Sequence, residues 1–219
     1  MAPRAYDRSR RDEAMAETRQ RIVDATVALH AEQGPSRTTY AMIAERADVA
    51  IPTVYNYFPT LTDLFGACIA DTTSRAPMVG PKTLAATSDA GHRLTALVPA
   101  LFARYRFLSP WLRWSQHEAH LIPELGAFHA RFREQHLQLI RDAIAPRGGR
   151  RAAAAAVGLV EVLTRYSSWE TLTKDHGFSD DQAAAAVLGV LRSTINPRRK
   201  AARNARKHRA TATQRGRES

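Results

Sequence analysis

Apolar residues recur every three to four positions along most of the chain from residue 18 to residue 195. This spacing places apolar side chains on one face of an α-helix, whereas a half-buried strand would alternate apolar and polar residues. No segment combines that alternation with β-branched residues, and alanine, which favours helices, is abundant. The pattern therefore predicts an all-α protein.

Four helices are predicted in the first third of the chain. Gly34 and Pro35 end the first, since glycine suits the left-handed exit of a helix and proline cannot continue it. The expected bounds are about Thr18–Gln33, the segment from Thr39 (as N-cap) to Ala47, Ile51–Tyr57, and a fourth helix from about Thr60.

Longer helices are predicted in the rest of the chain. Pro99 predicts a kink or a late start in one of them, and Pro110 is expected to open the next. Ser179 and Gln182 have the spacing of a capping box. The expected helices cover about His92–Phe107, a segment from Ser109, a segment from Pro123 to Ile144, Arg151–His176 and Gln182–Ile195.

Residues 39–57 form a helix-turn-helix pattern, in which two short helices meet at a tight turn near Asp48. An apolar framework is expected to hold the two helices: Ile43, Ala44, Ala47, Val49, Val54 and Phe58. The outer face of the second short helix fits a DNA surface, because hydroxyls bind phosphates, an amide reads base edges and apolar atoms contact thymine methyl groups. This face carries Ile51, Pro52, Thr53, Tyr55, Asn56 and Tyr57.

The chain has a formal net charge of +11, and most of it lies at the C-terminal end. Residues 198–219 contain nine Lys or Arg residues and one acidic residue, without apolar periodicity, so we expect them to be disordered. A protein this basic usually binds a polyanion. The segment Ile51–Tyr57 has no basic residue, so Arg37, Arg46 and the termini are expected to supply part of the attraction to DNA.

About residues 18–65 resemble the N-terminal domain of the TetR family of bacterial transcriptional regulators. The resemblance rests on an ordered set at fixed spacing: Gly34, Thr38-Thr39, Ile43-Ala44, Ala47, Val49, Thr53-Val54-Tyr55, Tyr57-Phe58-Pro59 and Leu64-Phe65. It implies a helical homodimer with a ligand-sensing domain, and repression relieved by a small molecule. The implied division is a flexible basic arm at 1–17, the DNA-binding domain at 18–66, a helical sensing and dimerisation domain at 67–196, and a disordered basic tail at 197–219.

The resemblance also implies roles for individual residues. It places Thr39, Tyr55, Tyr57 and Thr60 on phosphates. It places Ile51, Pro52, Thr53 and Asn56 in the major groove, with Tyr40 nearby. Without the motif, packing for Tyr55 and solvent exposure for Asn56 are the simpler interpretations.

Four residues depart from the pattern of the family. His30 stands where an aromatic core residue is usual, which predicts looser packing of the first helix. Asp48 replaces a common glycine in the turn. Ala50 replaces a serine or threonine, losing an N-cap worth about 1 kcal/mol, and Leu61 replaces a lysine that reaches a phosphate.

Aromatic and polar side chains are mixed along the later helices, which predicts either a mostly apolar ligand pocket or a plain core. The candidate pocket residues are Phe102, Tyr105, Trp111, Trp114, His117, Phe128, Tyr166 and Trp169. The last two helices are rich in alanine and glycine, and the resemblance assigns dimerisation to them. The candidate interface residues are Leu159, Val162, Leu163, Val187, Leu188 and Leu191, for which burial within the subunit is the alternative.

No catalytic signature is present, and we expect no cofactor and no enzymatic activity. His117 and His120 have a spacing open to metal ligation, but helical histidines usually face water, so no metal site is predicted. Cys68 is expected to be a small core residue rather than a redox sensor. The first 14 residues have no apolar stretch, and the uncharged runs are too short to span a membrane, so we expect a cytoplasmic protein.

The leading hypothesis is a ligand-responsive, sequence-specific DNA-binding regulator. We expect a homodimeric repressor that is released from a palindromic operator by a small apolar molecule. Two alternatives belong to other classes: a non-specific polyanion-binding protein driven by the basic tail, and a small helical enzyme.

Overall fold

A computed structural model describes residues 4–85, 89–145 and 154–195. The described residues form ten α-helices and no β-strand, which confirms the predicted all-α fold. A 3-10 turn covers Pro35–Arg37 and a π-helical turn covers Thr171–Asp175. The helices are α1 (Arg4–Gln33), α2 (Tyr40–Ala47), α3 (Ile51–Tyr57), α4 (Leu61–Arg75), α5 (Pro81–Leu84), α6 (Ala90–Glu118), α7 (Pro123–Ile144), α8 (Ala154–Thr164), α9 (Tyr166–Glu170) and α10 (Asp180–Ile195).

The helices divide into two compact units. The first unit contains the described residues up to Pro77 together with 105–133, which are the C-terminal half of α6 and the first half of α7. The second unit contains the described residues of 78–104 and of the chain from Glu134 onward. The helix-turn-helix therefore shares its unit with parts of two later helices.

Helix α1 begins at Arg4, so the expected start near Thr18 is wrong. Residues 4–17 lack proline and glycine, and polar side chains one turn apart support the helix. The Ser9 hydroxyl donates to Glu13 Oε1 at 3.0 Å, and the Thr18 hydroxyl donates to Ala14 O at 2.9 Å. Residues 4–17 of the segment expected to be a flexible arm thus continue the first helix.

Helix α6 runs through both of its prolines, so the expected new helix at Ser109 is wrong. Pro110 cannot donate to Arg106 O, which would otherwise cost a hydrogen bond. The Ser109 hydroxyl donates to that carbonyl instead, at 3.0 Å. A neighbouring side chain thereby replaces the backbone donor that proline lacks.

The helix expected over Arg151–His176 is divided at Arg165, which is in an extended conformation (φ −76°, ψ 162°). The Ser168 hydroxyl donates to Val162 O, the carbonyl that Tyr166 N would bond in a continuous helix. This side-chain bond accompanies the break at Arg165.

Other predicted boundaries are confirmed. Thr39 caps α2, and Thr60 caps α4. The capping box before α10 is complete, since Ser179 N donates to Gln182 Oε1 at 2.8 Å and Gln182 N donates to Ser179 Oγ at 3.2 Å. None of the helices in the described ranges has the length and apolar character needed to span a membrane. The expectations for the basic tail lie outside the described residues.

Two buried histidines predict how stability depends on pH. Burial lowers the pKa of His30 to about 4, and burial also lowers that of His136, whose Nε2 lies 3.0 Å from Thr164 Oγ1, to about 4. The unfolded chain takes up a proton at each site below about pH 6.5, whereas the folded chain does so only near pH 4. Their contribution to stability is therefore complete above pH 6.5 and is lost as the pH falls towards 4.

Lowering the pH from 7.5 to 5 should reduce the free energy of unfolding by about 2 kcal/mol for each of the two histidines. Chemical denaturation at both pH values should show that His136→Phe loses about 2 kcal/mol less of its free energy of unfolding than wild type does. His120→Phe, at an exposed position, is the control and should behave as wild type. An equal loss in the His136 variant and wild type would contradict a neutral buried imidazole.

Candidate nucleic-acid interface and the adjoining cavity

A left-handed residue sets the angle between α2 and α3. Asp48 ends α2 with φ 53° and ψ 54°, a conformation that Asp tolerates better than most residues other than glycine. Val49 N donates to Ala44 O at 3.0 Å and closes the end of α2. The departure from glycine at this position therefore preserves the turn.

Helix α3 has one buried side and one exposed side. Val54 is fully buried and Phe58, just after the helix, is 1% exposed, and both pack with α1 and α2. On the opposite side Ile51 is 44% exposed and Tyr55 is 50% exposed. Pro52 and Asn56 are also exposed, while Thr53 and Tyr57 are half-buried. The exposed residues are spaced i, i+1, i+4 and i+5, so they share one helix face.

Tyr40 connects the first turn of α2 to α3. Its ring stacks on that of Tyr55 with centroids 4.4 Å apart, and its hydroxyl donates to Phe58 O at 3.3 Å. Burial, with smaller contributions from Tyr55 and Asp63, raises the pKa of Tyr40. This contact holds the exposed face of α3 at a fixed orientation to α2.

Threonine caps two exposed helix N-termini next to α3. Thr39 Oγ1 accepts from Met42 N at 3.3 Å, and Thr60 Oγ1 accepts from Asp63 N at 3.1 Å. Helix N-termini attract anions through their free N–H groups and their dipole. Both threonines are exposed, so these two N-termini are available to phosphates.

The two arginines expected to attract DNA are engaged within the protein. Arg46 makes a bidentate ion pair with Glu32, both N···O distances being 2.9 Å. Arg37 Nε donates to Gln33 O at 2.7 Å, and its guanidinium lies 5.0 Å from the centroid of the Trp114 ring. Their charges remain near the interface, but both side chains already have partners.

The C-terminal half of α6 is hydrogen-bonded to the end of α1. Trp111 Nε1 donates to Val27 O at 2.8 Å. Trp114 Nε1 and Arg113 Nη2 both donate to Ala31 O, at 3.1 and 2.8 Å. The indole and guanidinium groups thus satisfy carbonyls in the last turns of α1, some of which have no helical partner.

Glu118 connects the end of α6 to the turn that precedes the helix-turn-helix. Its carboxylate is buried and accepts from Ser36 N at 2.9 Å. Gly34 has φ +86°, and a Cβ there would lie 2.6 Å from Glu118 Oε1. The positive φ favours glycine at this position, and a larger residue would also displace the Glu118 carboxylate.

A partly open cavity of about 60 Å³ lies inside the first unit, under α1 and α4 and against α6 and α7. Most of the side chains that line it are apolar. They include Val27, Phe65, Ile69, Leu108, Trp111, Leu112, Leu125 and Phe128. The polar residues of the lining are His30, Cys68, Thr72, Thr73 and Ser115, and none of the lining residues is charged.

His30 lies in the wall of this cavity. Its side chain is 7% exposed and stacks on Phe65 with ring centroids 5.1 Å apart. The imidazole stacks as an aromatic ring would, while the cavity beside it leaves α1 incompletely packed at this position. Burial keeps the imidazole neutral at pH 7.

The structure distributes the candidate pocket residues over different environments. Trp111 and Phe128 line the cavity, whereas Trp114 covers the end of α1 and His117 is exposed. The other four are buried: Phe102, Tyr105, Tyr166 and Trp169. Sequence reasoning missed the cavity contributions of α1 and α4, since those residues also fit the apolar framework of the DNA-binding domain.

The structure brings neither Glu118 nor Glu124 to the histidine pair His117 and His120, and it buries Cys68. Glu124 accepts from the Thr62 hydroxyl at 2.6 Å, and Glu118 bonds Ser36, so neither carboxylate joins His117 and His120 in a cluster. Among the described residues, no three His, Cys, Asp or Glu side chains come together as a metal site would require. Burial raises the pKa of Cys68 to about 12.

The candidate dimer residues lie on α8 and α10. Val187, Leu188 and Leu191 are buried within the single subunit, and Leu159 and Leu163 are half-buried. Val162 is 53% exposed. Val190, which the sequence analysis did not select, is 48% exposed. Among the described side chains of these helices, the large apolar ones that are exposed are therefore Val162 and Val190 rather than the buried leucines.

The N-terminal part of the chain is similar to known bacterial regulators. Residues 22–68 match the sequence model described as bacterial regulatory proteins, tetR family. The transcriptional repressor KstR of Rhodococcus jostii is 44% identical over 57 residues, which cover 26% of this chain and 27% of that protein. KstR of Mycobacterium tuberculosis is 34% identical over 89 residues, covering 41% and 40%. The chain thus aligns with less than half the length of these curated relatives.

Solved structures share the fold over a larger part of the chain. NalD of Pseudomonas aeruginosa, described as the secondary repressor of the MexAB-OprM multidrug efflux pump, has a TM-score of 0.59 at 20% identity, covering 82% of this chain and 95% of that one. A TetR-family regulator from Syntrophomonas wolfei has a TM-score of 0.58 at 14% identity, with 82% and 95% coverage. At these identities the likeness shows the fold.

The caps of α2 and α3 predict a pair of opposite stability changes. Ala50 has the extended conformation of an N-cap (φ −72°, ψ 147°) but no side chain that can bond the helix. Ala50→Ser should raise the free energy of unfolding by about 0.5–1 kcal/mol, and Thr39→Ala should lower it by about 1 kcal/mol. Urea denaturation measures both, and a destabilised Ala50→Ser would contradict the cap geometry.

Proposed function

Because its N-terminal domain places this chain in the TetR family, we propose that the protein is a sequence-specific DNA-binding transcriptional repressor. A small molecule releases it from DNA. The exposed face of α3 carries this proposal, since it combines an amide, apolar groups and flanking hydroxyls on a helix held by a buried core. The family match and the repressor relatives support the same function.

Readout of bases is assigned to α3 and phosphate binding to its surroundings. Asn56 is exposed and can pair with adenine through two hydrogen bonds. Ile51 and Pro52 provide apolar contacts beside it, and Thr53 lies at the edge of the face. Thr39 and Thr60, at the N-termini of α2 and α4, bind phosphates on either side together with the hydroxyls of Tyr55 and Tyr57.

The effector binds in the cavity of the first unit. Its lining is mainly apolar and uncharged, and its walls include α1 and α4, which belong to the DNA-binding domain. A molecule that binds there favours a different arrangement of these helices, and it lowers DNA affinity only by its preference for that arrangement.

Two subunits pair through α8 and α10. The exposed side chains of Val162 and Val190, with small residues such as Gly189 beside them, allow helices of two subunits to approach closely. A two-fold axis there implies an operator with two symmetric half-sites.

Base readout predicts a sequence-dependent effect of Asn56→Ala. The variant should bind the preferred site, found by footprinting DNA that flanks its own gene, about 1–3 kcal/mol more weakly than wild type. Binding to random DNA should change little. Gln116→Ala, which removes an exposed amide from α6, is the matched control and should leave both affinities unchanged.

Equal weakening of Asn56→Ala on both DNAs would show that Asn56 reads no base. Equal wild-type affinity for the footprinted and the random DNA would instead favour a non-specific polyanion binder. Comparing affinities for the two DNAs thus separates an error about the role of Asn56 from an error about the function of the protein.

The pairing of α8 and α10 predicts that Val190→Arg yields monomers. The substitution places a charge in the proposed interface without touching the buried core of the subunit. Light scattering should show a dimer for wild type and a monomer for the variant. Leu121→Arg, at a position that is 60% exposed in the first unit, is the control and should remain dimeric. A dimeric Val190→Arg would place the interface elsewhere.

A further inference from the structure

His30 is a buried polar side chain that lacks a hydrogen-bond partner. It is more than nine-tenths buried and lines the cavity of the first unit. Within the described part of the chain its ring nitrogens form no hydrogen bond, and they are not among the fully enclosed unpartnered atoms, so the partly open cavity leaves them accessible. A neutral imidazole has one N–H donor and one acceptor nitrogen, and buried groups of this kind normally find partners.

The other polar groups of the lining already have partners. The Thr72 hydroxyl donates to Cys68 O at 2.8 Å, and the Ser115 hydroxyl donates to Leu112 O at 3.4 Å. The indole N–H of Trp111 is used by Val27 O. The Thr73 hydroxyl donates to Ile69 O, and the Cys68 thiol is only a weak donor, so the imidazole is the strongest hydrogen-bonding group of this wall without a partner.

We propose that His30 is the polar anchor of the effector, and that the effector is an uncharged, mainly apolar molecule with one hydroxyl or carbonyl group that bonds the imidazole. This inference rests on the proposed effector site and names its ligand class. The apolar walls bury the body of the molecule, and His30 fixes its orientation.

The lining excludes a charged effector. No charged side chain faces the cavity, so a carboxylate or an ammonium group would lose its hydration without gaining a counter-charge. The imidazole does not supply one, because burial lowers the pKa of His30 to about 4. An uncharged hydroxyl or carbonyl pays a much smaller desolvation cost and recovers it in one hydrogen bond.

The size of the cavity connects binding to the DNA-binding domain. Its volume of about 60 Å³ is well below the ~150 Å³ of a cavity that holds benzene. An effector with even one ring therefore does not fit within the cavity as it stands: it either extends through the open side or separates α1 and α4 from α6 and α7. Because His30 is on α1, the anchored molecule acts directly on the helix that supports the helix-turn-helix.

Three ring molecules of similar shape test the proposal: p-cresol, which has a hydroxyl; p-xylene, which has a methyl group instead; and p-toluate, which is an anion. NMR titrations of the full chain at pH 7.5, without DNA, measure their affinities. We expect p-cresol to bind wild type about fivefold more tightly than p-xylene, and p-toluate to bind more weakly than either. In His30→Phe, p-cresol and p-xylene should bind equally.

His117→Phe is the matched control, since this histidine of α6 is exposed and lies outside the cavity. It should keep the wild-type preference for p-cresol. If His30→Phe does not fold, the ratios for wild type still test the ligand class, and chemical-shift changes of the His30 ring on adding p-cresol test the anchor.

The proposal is overturned if wild type binds p-cresol no better than p-xylene, if it binds p-toluate best, or if no probe binds at millimolar concentration. A preference that survives in His30→Phe overturns the role of His30. Because no DNA is present, these outcomes are independent of the Asn56 assay. If the protein prefers p-cresol but does not bind DNA sequence-specifically, the ligand site proposed here stands and the proposed function is contradicted.

Discussion

The hydrogen bonds between α6 and the end of α1 determine how the first unit is built. Donors on Trp111, Arg113 and Trp114 satisfy carbonyls of the last α1 turns, and Glu118 accepts from the backbone of the following turn. Hydrogen bonds to buried or partly buried groups are costly to leave unmade. A change in the position of α6 must therefore either break these bonds or carry the end of α1 with it.

The same contacts place the cavity in the compact unit that also contains α3. Trp111 both lines the cavity and bonds Val27, so a molecule that displaces its ring also disturbs α1. At the other end of this path, α1 and α2 bury Val54 of α3 in one apolar cluster. Under the proposed function, effector and DNA therefore act on one packed unit, and a displacement of one helix there shifts its neighbours because protein interiors are close-packed.

Much of the N-terminal domain could be predicted from local signals. Thr39, Thr60 and the Gly34-Pro35 break mark helix ends through their own chemistry, so α2, α3 and the start of α4 lie where the sequence placed them. The prediction of a new helix at Ser109 was wrong, because the Ser109 hydroxyl replaces the backbone N–H that Pro110 lacks. The start of α1 was missed since polar i, i+4 pairs carry no apolar stripe.

Contacts between distant segments had no local signal. The bond between Glu118 and Ser36 joins residues 82 positions apart, and no spacing in the sequence predicts it. Trp114 was expected in a pocket because aromatic residues are common there, but its indole N–H and ring are used by Ala31 and Arg37. In the sequence, His30 stands out only as a replacement for the aromatic core residue that is usual in the family. That its ring nitrogens have no partner can be seen only from the cavity that it lines.

The central claim, that the cavity and the DNA-reading helix are coupled within one unit, is tested most directly by a linkage measurement. The affinity for p-cresol is measured with and without a saturating specific DNA site, and the affinity for that site is measured with and without p-cresol. Coupling requires both affinities to fall by the same factor. Binding of p-cresol that leaves the affinity for DNA unchanged would contradict the account.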